Sequence, residues 1–336
     1  MRTSRLETIA KEPSCPCVRE VFQCFTWNIY LEWVMSLHAW SILVTLSILW
    51  GGTFFFTELA LDGVTPFTIV ALRVSIAALA LYAYLRLKRE AIPRAPALWG
   101  AFFIMGLINN AIPFSLIVWG QTHITGSIAS ILNATTPLFT VILAHYFTTD
   151  EKLNSRKLIG IVTGYLGVIV MMQPTLGAGL GVESYGQFAI LGAAFSYAIA
   201  GIWGKRYLGR TSAPVNAFGM LTCSSLIMLP VAFAVERPID LAPTALPLAA
   251  VLALALLCTA FAYLLYFRLL ALAGAVNLLL VTFLIPVTAL FLGITILHET
   301  VHPLALVGTA IIFAGLALID GRILRLFRKP ASQTDG

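Results

Sequence analysis

Long apolar runs, interrupted by short polar clusters, set the pattern of this chain. Ten runs, nearly free of charge, each reach the length of about 20 residues that an α-helix needs to cross a bilayer's hydrocarbon. They predict helices near residues 38–57, 66–86, 97–119, 124–147, 157–173, 185–204, 214–235, 245–268, 275–297 and 303–320. Only Arg268 and the Ala273-Gly274-Ala275 turn part the eighth run from the ninth, which predicts a tight hairpin there.

The pattern repeats. Gly126, Glu151, Gly160 and Gly167 recur 148 positions later as Gly274, Glu299, Gly308 and Gly315, and Pro137 recurs one residue out of step as Pro286. The unit holds five helices. An odd number turns the second copy over, so the expected fold is an all-α polytopic membrane protein of ten transmembrane helices in two inverted five-helix repeats. Such repeats build secondary transporters whose site lies at the repeat interface near the bilayer midplane. The expected organisation is an N-terminal segment at 1–35, repeats at 36–173 and 174–322, and a basic tail at 323–336.

Charge orients the bundle. On one side fall Arg2, Arg5, Lys11 and Arg19, then Arg86, Lys88, Arg89 and Arg94, then Lys152, Arg156 and Lys157. Lys205, Arg206, Arg210, Arg268 and the tail residues Arg322, Arg325, Arg328 and Lys329 continue that side, while the opposite loops hold only Arg237. Cytoplasmic loops collect Lys and Arg, so a multi-pass cell (inner) membrane protein with both termini in the cytoplasm is expected. The composition agrees: 59% apolar, 11% charged, mean hydropathy +0.91. The net charge of +6 is dispersed between apolar runs, so it marks basic loops and not a nucleic-acid surface. Residues 1–34 lack the plan of a signal peptide. They read either as a surface-lying amphipathic segment or as sequence upstream of a start at Met35.

Some local motifs point to a known family. LWGGTFFF at 49–56, Pro66-Phe67 followed by ALRVSIAALAL at 71–81, Asn-Ala-Thr-Thr-Pro-Leu-Phe-Thr at 133–140, and Glu151 and Gly160 with their echoes Glu299 and Gly308 stand in one order and spacing. Together they resemble the EamA type of the drug/metabolite transporter superfamily, over roughly residues 36 to 322. The resemblance implies transport of small organic solutes such as amino acids, metabolites or toxic compounds, often by export, through a central cavity. The implied partners are the solute and the lipid bilayer, and a homodimer is compatible with the reading.

Polar and aromatic residues inside spans mark the candidate cavity, because lipid penalises polar groups that neither pair nor line a void. They are Trp50, Asn109, Asn110, Asn133, Thr136, Tyr197, Trp203, Tyr263, Tyr266 and Asn277. Pro137 and Pro286 are expected to kink their helices, and the carbonyl of Asn133, freed by Pro137, to become available to a solute. The competing reading of each residue is interhelical glue. Arg73 is the one charge well inside a span. It could meet a substrate carboxylate, snorkel, or pair with Glu58 or Asp62, and a structural role is the favoured expectation.

An enzyme reading rests on His298-Glu299-Thr300-Val301-His302, which matches a zinc-peptidase pattern. Pro303 biases His302 away from helical angles, and Asp320, the third ligand such a site would need, lies at the far end of the next helix. Neither an enzyme, a metal nor a cofactor is expected. Gly204-Lys205 has no preceding glycine loop, so ATP-driven transport has no motif either. Cys223 and Cys258 read as small apolar fillers.

Overall fold

The computed structural model describes residues 36–148, 153–177, 181–209, 211–237, 243–278 and 280–320. The N-terminal segment, the basic tail and Glu151 lie outside the described residues. Every regular element among those described is helical. In chain order they are α1 (Leu37–Leu61), α2 (Pro66–Leu87), α3 (Pro96–Gln121), the two-part α4 (Gly126–Asn133 and Thr136–Phe147) and α5 (Ser155–Gly177). The second five are α6 (Val182–Tyr207), α7 (Ala213–Val235), α8 (Ala245–Gly274), α9, which contains Leu280–Thr295, and α10 (Pro303–Asp320). All but α9 are individually long and apolar enough to cross a membrane.

The chain starts and stops its helices by ordinary means. Ser36 caps α1, its Oγ accepting from Ala39 N at 3.1 Å. Pro66, Pro96 and Pro214 occupy the first turns of α2, α3 and α7, where a missing N–H costs nothing. Gly274 separates α8 from α9 with φ +74° and ψ 168°, a conformation open essentially to glycine alone. Space is not the constraint, since an added Cβ would meet nothing within 4 Å. Gly274→Ala should therefore lower stability by about 1–3 kcal/mol through backbone strain, measured as a lower melting temperature in detergent.

Large side chains such as Leu79, Tyr146, Ile159, Phe188, Phe233 and Phe291 are exposed all round the bundle. Water would not tolerate that surface, and lipid does.

The most extensive helix contacts join the first five helices to the last five: α5 with α10, α2 with α7, α1 with α9, α3 with α6, α4 with α6 and α1 with α8. Exchanging each helix for the one five places on maps this set onto itself, as two repeats related by a pseudo-two-fold axis require. Ten crossings also return the chain to the side on which it began, and the sixth helix enters from the side opposite the first.

Glycines set the α5–α10 crossing. A Cβ on Gly160 would stand 2.7 Å from Gly315 O, and one on Gly167 2.7 Å from Gly308 O. The reverse contacts, Gly315 to Gly160 O and Gly308 to Gly167 O, are both 2.6 Å. The two backbones touch, as small residues permit in membrane helices.

Reciprocal carboxylates tie α2 to α7. Glu236, at the end of α7, accepts from Phe67 N (2.9 Å), Thr68 N (2.7 Å), Thr68 Oγ1 (2.9 Å) and Thr65 Oγ1 (2.6 Å) at the start of α2. At the opposite end of the pair Glu90, just past α2, accepts from Ser212 Oγ, the cap residue of α7.

The apolar core divides in two, and not along the repeats. One cluster is built chiefly from α2, α3, α7 and the first part of α8; the other takes α1, α4, α5, α6, α9, α10 and the end of α8. Each cluster draws on both repeats.

Candidate functional site

Two helices of the bundle, α3 and α8, each carry a widened turn. In α3 the residues Leu107–Ala111 are wound as π-helix, and Ile112 N bonds back to Leu107 O. Pro113 follows at once and cannot supply the N–H that an α-turn would give to the Asn109 carbonyl. The spare carbonyl of Ile108 is taken by Ser196 Oγ of α6 at 2.6 Å. In α8 the residues Leu256–Phe261 are also π-helix, at the repeat-related place. Thr259 Oγ1 there donates to Leu254 O at 2.7 Å. Single π-turns inside α-helices are frequent at functional sites.

Asn109 and Asn110 project from the first of these turns. Asn109 Nδ2 donates to Tyr263 OH at 3.1 Å, and Tyr263 OH donates to Asn110 Oδ1 at 3.2 Å. Asn110, fully buried, donates through Nδ2 to Ser224 Oγ of α7 at 3.2 Å. Ser224 Oγ in turn lies 2.9 Å from Gly106 O and 2.7 Å from Met220 O. Three helices thus share one polar network, and each buried amide has a use for its donors.

Aromatic rings extend the wall. Tyr263 stacks on Phe267 at 6.3 Å, Phe267 meets Tyr266 at 5.0 Å, and Tyr266 meets Trp50 of α1 at 5.6 Å. Tyr197 of α6 packs against both apolar clusters. The sequence-predicted residues Asn109, Asn110, Tyr263, Tyr266, Trp50 and Tyr197 therefore come together along the seam between the clusters.

The other predicted residues sit elsewhere. Trp203 meets Tyr207 at 4.1 Å in a tilted contact and donates to Ala101 O at 3.3 Å, near the start of α3. Asn277 donates to Ala273 O at 2.9 Å across the Gly274 break. Pro137 does stand at an interruption of α4, but the carbonyl of Asn133 is not left open: Thr136 Oγ1 donates to it at 2.8 Å. The hydroxyl next to the proline replaces the missing N–H. What remains without a partner there is the buried Asn133 Oδ1. Pro286 lies within the unbroken helix Leu280–Thr295, so it does not interrupt its helix as Pro137 does.

Arg73 occupies the centre of the seam's cation chemistry. It is 4% exposed, its Nε donates to Thr259 Oγ1 at 2.8 Å, and its guanidinium lies 3.9 Å from the centroid of the Phe114 ring. Tyr197 and Tyr263 are within electrostatic reach, and among the described residues no carboxylate is. Glu58, one of the two carboxylates open to it on sequence, accepts instead from Gln121 Nε2 at 3.2 Å. A desolvated cation–π contact contributes about 2 kcal/mol and one hydrogen bond from a charged group about 1.5–3 kcal/mol. Those gains roughly offset a penalty of several kcal/mol for burying an ion, without a surplus.

Glu58 also lines a cleft of about 460 Å³ with Asp62, Thr65, Pro66, Gln121 and Thr122. Glu299 sits near this end, accepting from Ser127 N at 3.1 Å. Residues 298–302 are non-helical, with His298 at φ +55°. The two histidines of the zinc pattern therefore share no helical face, and no group of metal-ligating side chains occurs among the described residues.

Ser196, Ser224, Thr259 and the two π-turns escaped the sequence reading. Pro113, three positions after the Asn109-Asn110 pair, is the available signal for the first turn.

Comparison with known proteins agrees with this architecture. The model of the EamA-like transporter family matches twice, over residues 38–173 and 184–320. The uncharacterized transporter YoaV of Bacillus subtilis (strain 168) is 23% identical over 278 residues, covering 82% of this chain and 94% of YoaV. Protein PecM of Dickeya dadantii (strain 3937) is 27% identical over 293 residues, covering 85% of this chain and 94% of PecM. A solved crystal structure matches with a TM-score of 0.62 at 18% identity, covering 85% of this chain and 98% of its own, a likeness in fold.

Proposed function

The chain belongs to the EamA-like transporter family, a multi-pass membrane transporter and not an enzyme, and from that premise we propose that it is a secondary transporter of small organic solutes working by alternating access. Export is the proposed direction, following the family likeness, and an inner-membrane setting with cytoplasmic termini follows from the distribution of Lys and Arg. The observation that carries the proposal is the network of Asn109, Asn110 and Tyr263 between paired π-turns, walled by Tyr266 and Trp50. Amides, a phenol and aromatic faces suit an amphipathic solute that must be held and then released.

The moving units in this proposal are not the two repeats. A repeat swinging as a rigid body would have to break the α5–α10 and α2–α7 contacts, the most extensive in the bundle. The two apolar clusters are better units, because each is internally packed and the polar seam runs between them. Packed cores shift between discrete arrangements more readily than they deform. The five-helix boundaries at 36–173 and 174–322 stay the proposed units of sequence ancestry.

A growth screen of overproducing and deletion strains against amino acids and toxic organic compounds would select a solute, and counterflow in proteoliposomes would then measure its movement. Asn109→Ala and Tyr263→Phe should each lower flux about tenfold, the worth of about one hydrogen bond to the solute, and should also lower the melting temperature modestly, because a network partner is left without its bond. Wild-type flux in both variants would remove the network from the site.

A further inference from the structure

A buried cation with no anion beside it among the described residues asks what neutralises it. Of the three nitrogens of Arg73, only Nε has a hydrogen-bond partner among the described residues, Thr259 Oγ1 at 2.8 Å. The two Nη groups have none, yet they are not among the fully enclosed orphan atoms of the protein. They therefore keep accessible surface although the residue as a whole is 4% exposed. They are the unpartnered edge of the guanidinium among the described residues.

The geometry of the anchor matters. Thr259 holds Nε and the Phe114 ring lies under the guanidinium at 3.9 Å, so the plane of the group is fixed from one edge and one face. With Nε engaged, the free side is the pair of Nη groups, which can take both oxygens of one carboxylate at once. Thr259 owes its position to the π-turn of α8, and Tyr263 one turn further on joins the asparagine network.

The geometry points to Arg73 as the receptor for the carboxylate of an anionic organic solute, whose apolar or aromatic body lodges toward Tyr263, Tyr266 and Trp50. This rests on the transport reading above and narrows its substrate class. Arg73 and Thr259 belong to helices of one apolar cluster, whereas Trp50 and Tyr197 stand on helices of the other. A solute held at both ends would bridge the two proposed moving units, which gives its binding a means of biasing them.

The test needs a matched pair of probes, 3-phenylpropionate and its neutral amide, 3-phenylpropanamide. Their binding to purified protein is read by tryptophan fluorescence and thermal shift, and their movement by proteoliposome counterflow. Wild-type protein should bind the carboxylate about 10-fold or more tightly than the amide, the worth of a charge-assisted hydrogen-bonded pair. Arg73→Gln should abolish the difference, Arg73→Lys should keep part of it, and Thr259→Val should reduce it. A structural arginine would lower stability in these variants without any preference between probes to lose. Should Arg73→Gln fail to fold, the wild-type comparison and Thr259→Val still decide. Equal affinity of wild type for the two probes, a preference that survives Arg73→Gln, or no binding of the carboxylate overturns the assignment. Carboxylate preference without flux of any solute would instead overturn the transport reading and leave the Arg73 site standing.

Discussion

Gly167→Leu is expected to leave little monodisperse protein after detergent extraction, and what remains should melt far below wild type. The added Cβ alone would stand 2.7 Å from the Gly308 carbonyl oxygen and 2.7 Å from Ile312 N. Both are backbone atoms, so no rotamer change relieves the clash and the helix axes must separate. Overpacking costs about 3 kcal/mol at the upper end of its usual range, occasionally more. The loss falls on the most extensive helix contact in the bundle. Inside lipid, packing is much of what holds helices together, so nothing nearby compensates. Gly201→Leu is the control, since a Cβ there meets nothing within 4 Å. The reading also predicts strong coupling between Gly167→Ala and Gly308→Ala, because one separation of the axes relieves both clashes. Wild-type melting of Gly167→Leu, or equal damage from Gly201→Leu, would remove the close contact from the account of stability.

These glycines explain why much of the fold was legible in the chain. A contact that repeats with the sequence leaves its period there: Gly160 and Gly167 recur as Gly308 and Gly315, and in three dimensions Gly160 meets Gly315 while Gly167 meets Gly308. Lengths of apolar run gave the helices for the same reason, since bilayer thickness is imposed from outside and acts on each span alone. The Gly274 turn announced itself because its φ excludes other residues.

The site was only half legible. Asn109, Asn110 and Tyr263 stand out as polar groups in lipid-spanning runs, but their meeting depends on two π-turns, and one extra residue in a turn leaves no period to read. Of the alternatives open to Arg73, only the pairing with Glu58 or Asp62 rests on proximity in the chain, and the structure does not show it. Glu58 and Asp62 are near it in the chain, while Thr259, its actual partner, lies 186 positions away. The carbonyl of Asn133, expected to be open, is not, because Thr136 Oγ1 fills the gap that Pro137 opens. Nor did the division of the core follow the order of the chain, because helices of opposite repeats pack more closely than helices of the same one.

The reciprocal glutamates of α2 and α7 lead to the second large expectation, an unequal one. At Glu236 a single carboxylate receives two backbone N–H groups and two hydroxyls from the first turn of α2. Those N–H groups have no partner within the helix, and the positive end of the helix dipole favours the negative charge. Glu90 at the other end of the pair receives one hydroxyl, from Ser212. Hydrogen bonds to a charged group contribute about 1.5–3 kcal/mol each when a buried partner is left behind. Partial exposure of Glu236 and water at the turn reduce the sum, so Glu236→Ala should cost about 3 kcal/mol and Glu90→Ala about 1 kcal/mol or less. Glu236→Gln keeps one oxygen acceptor and should fall between wild type and alanine. Melting curves in nanodiscs, with hydrogen exchange followed at Phe67 and Thr68, would measure both the global loss and the opening of that turn. Faster exchange at those two amides in Glu236→Ala, but not in Glu90→Ala, is the expected pattern. If the two alanine variants melt alike and neither opens the start of α2, the carboxylate is a surface group and the α2–α7 pair is held by its apolar contacts alone.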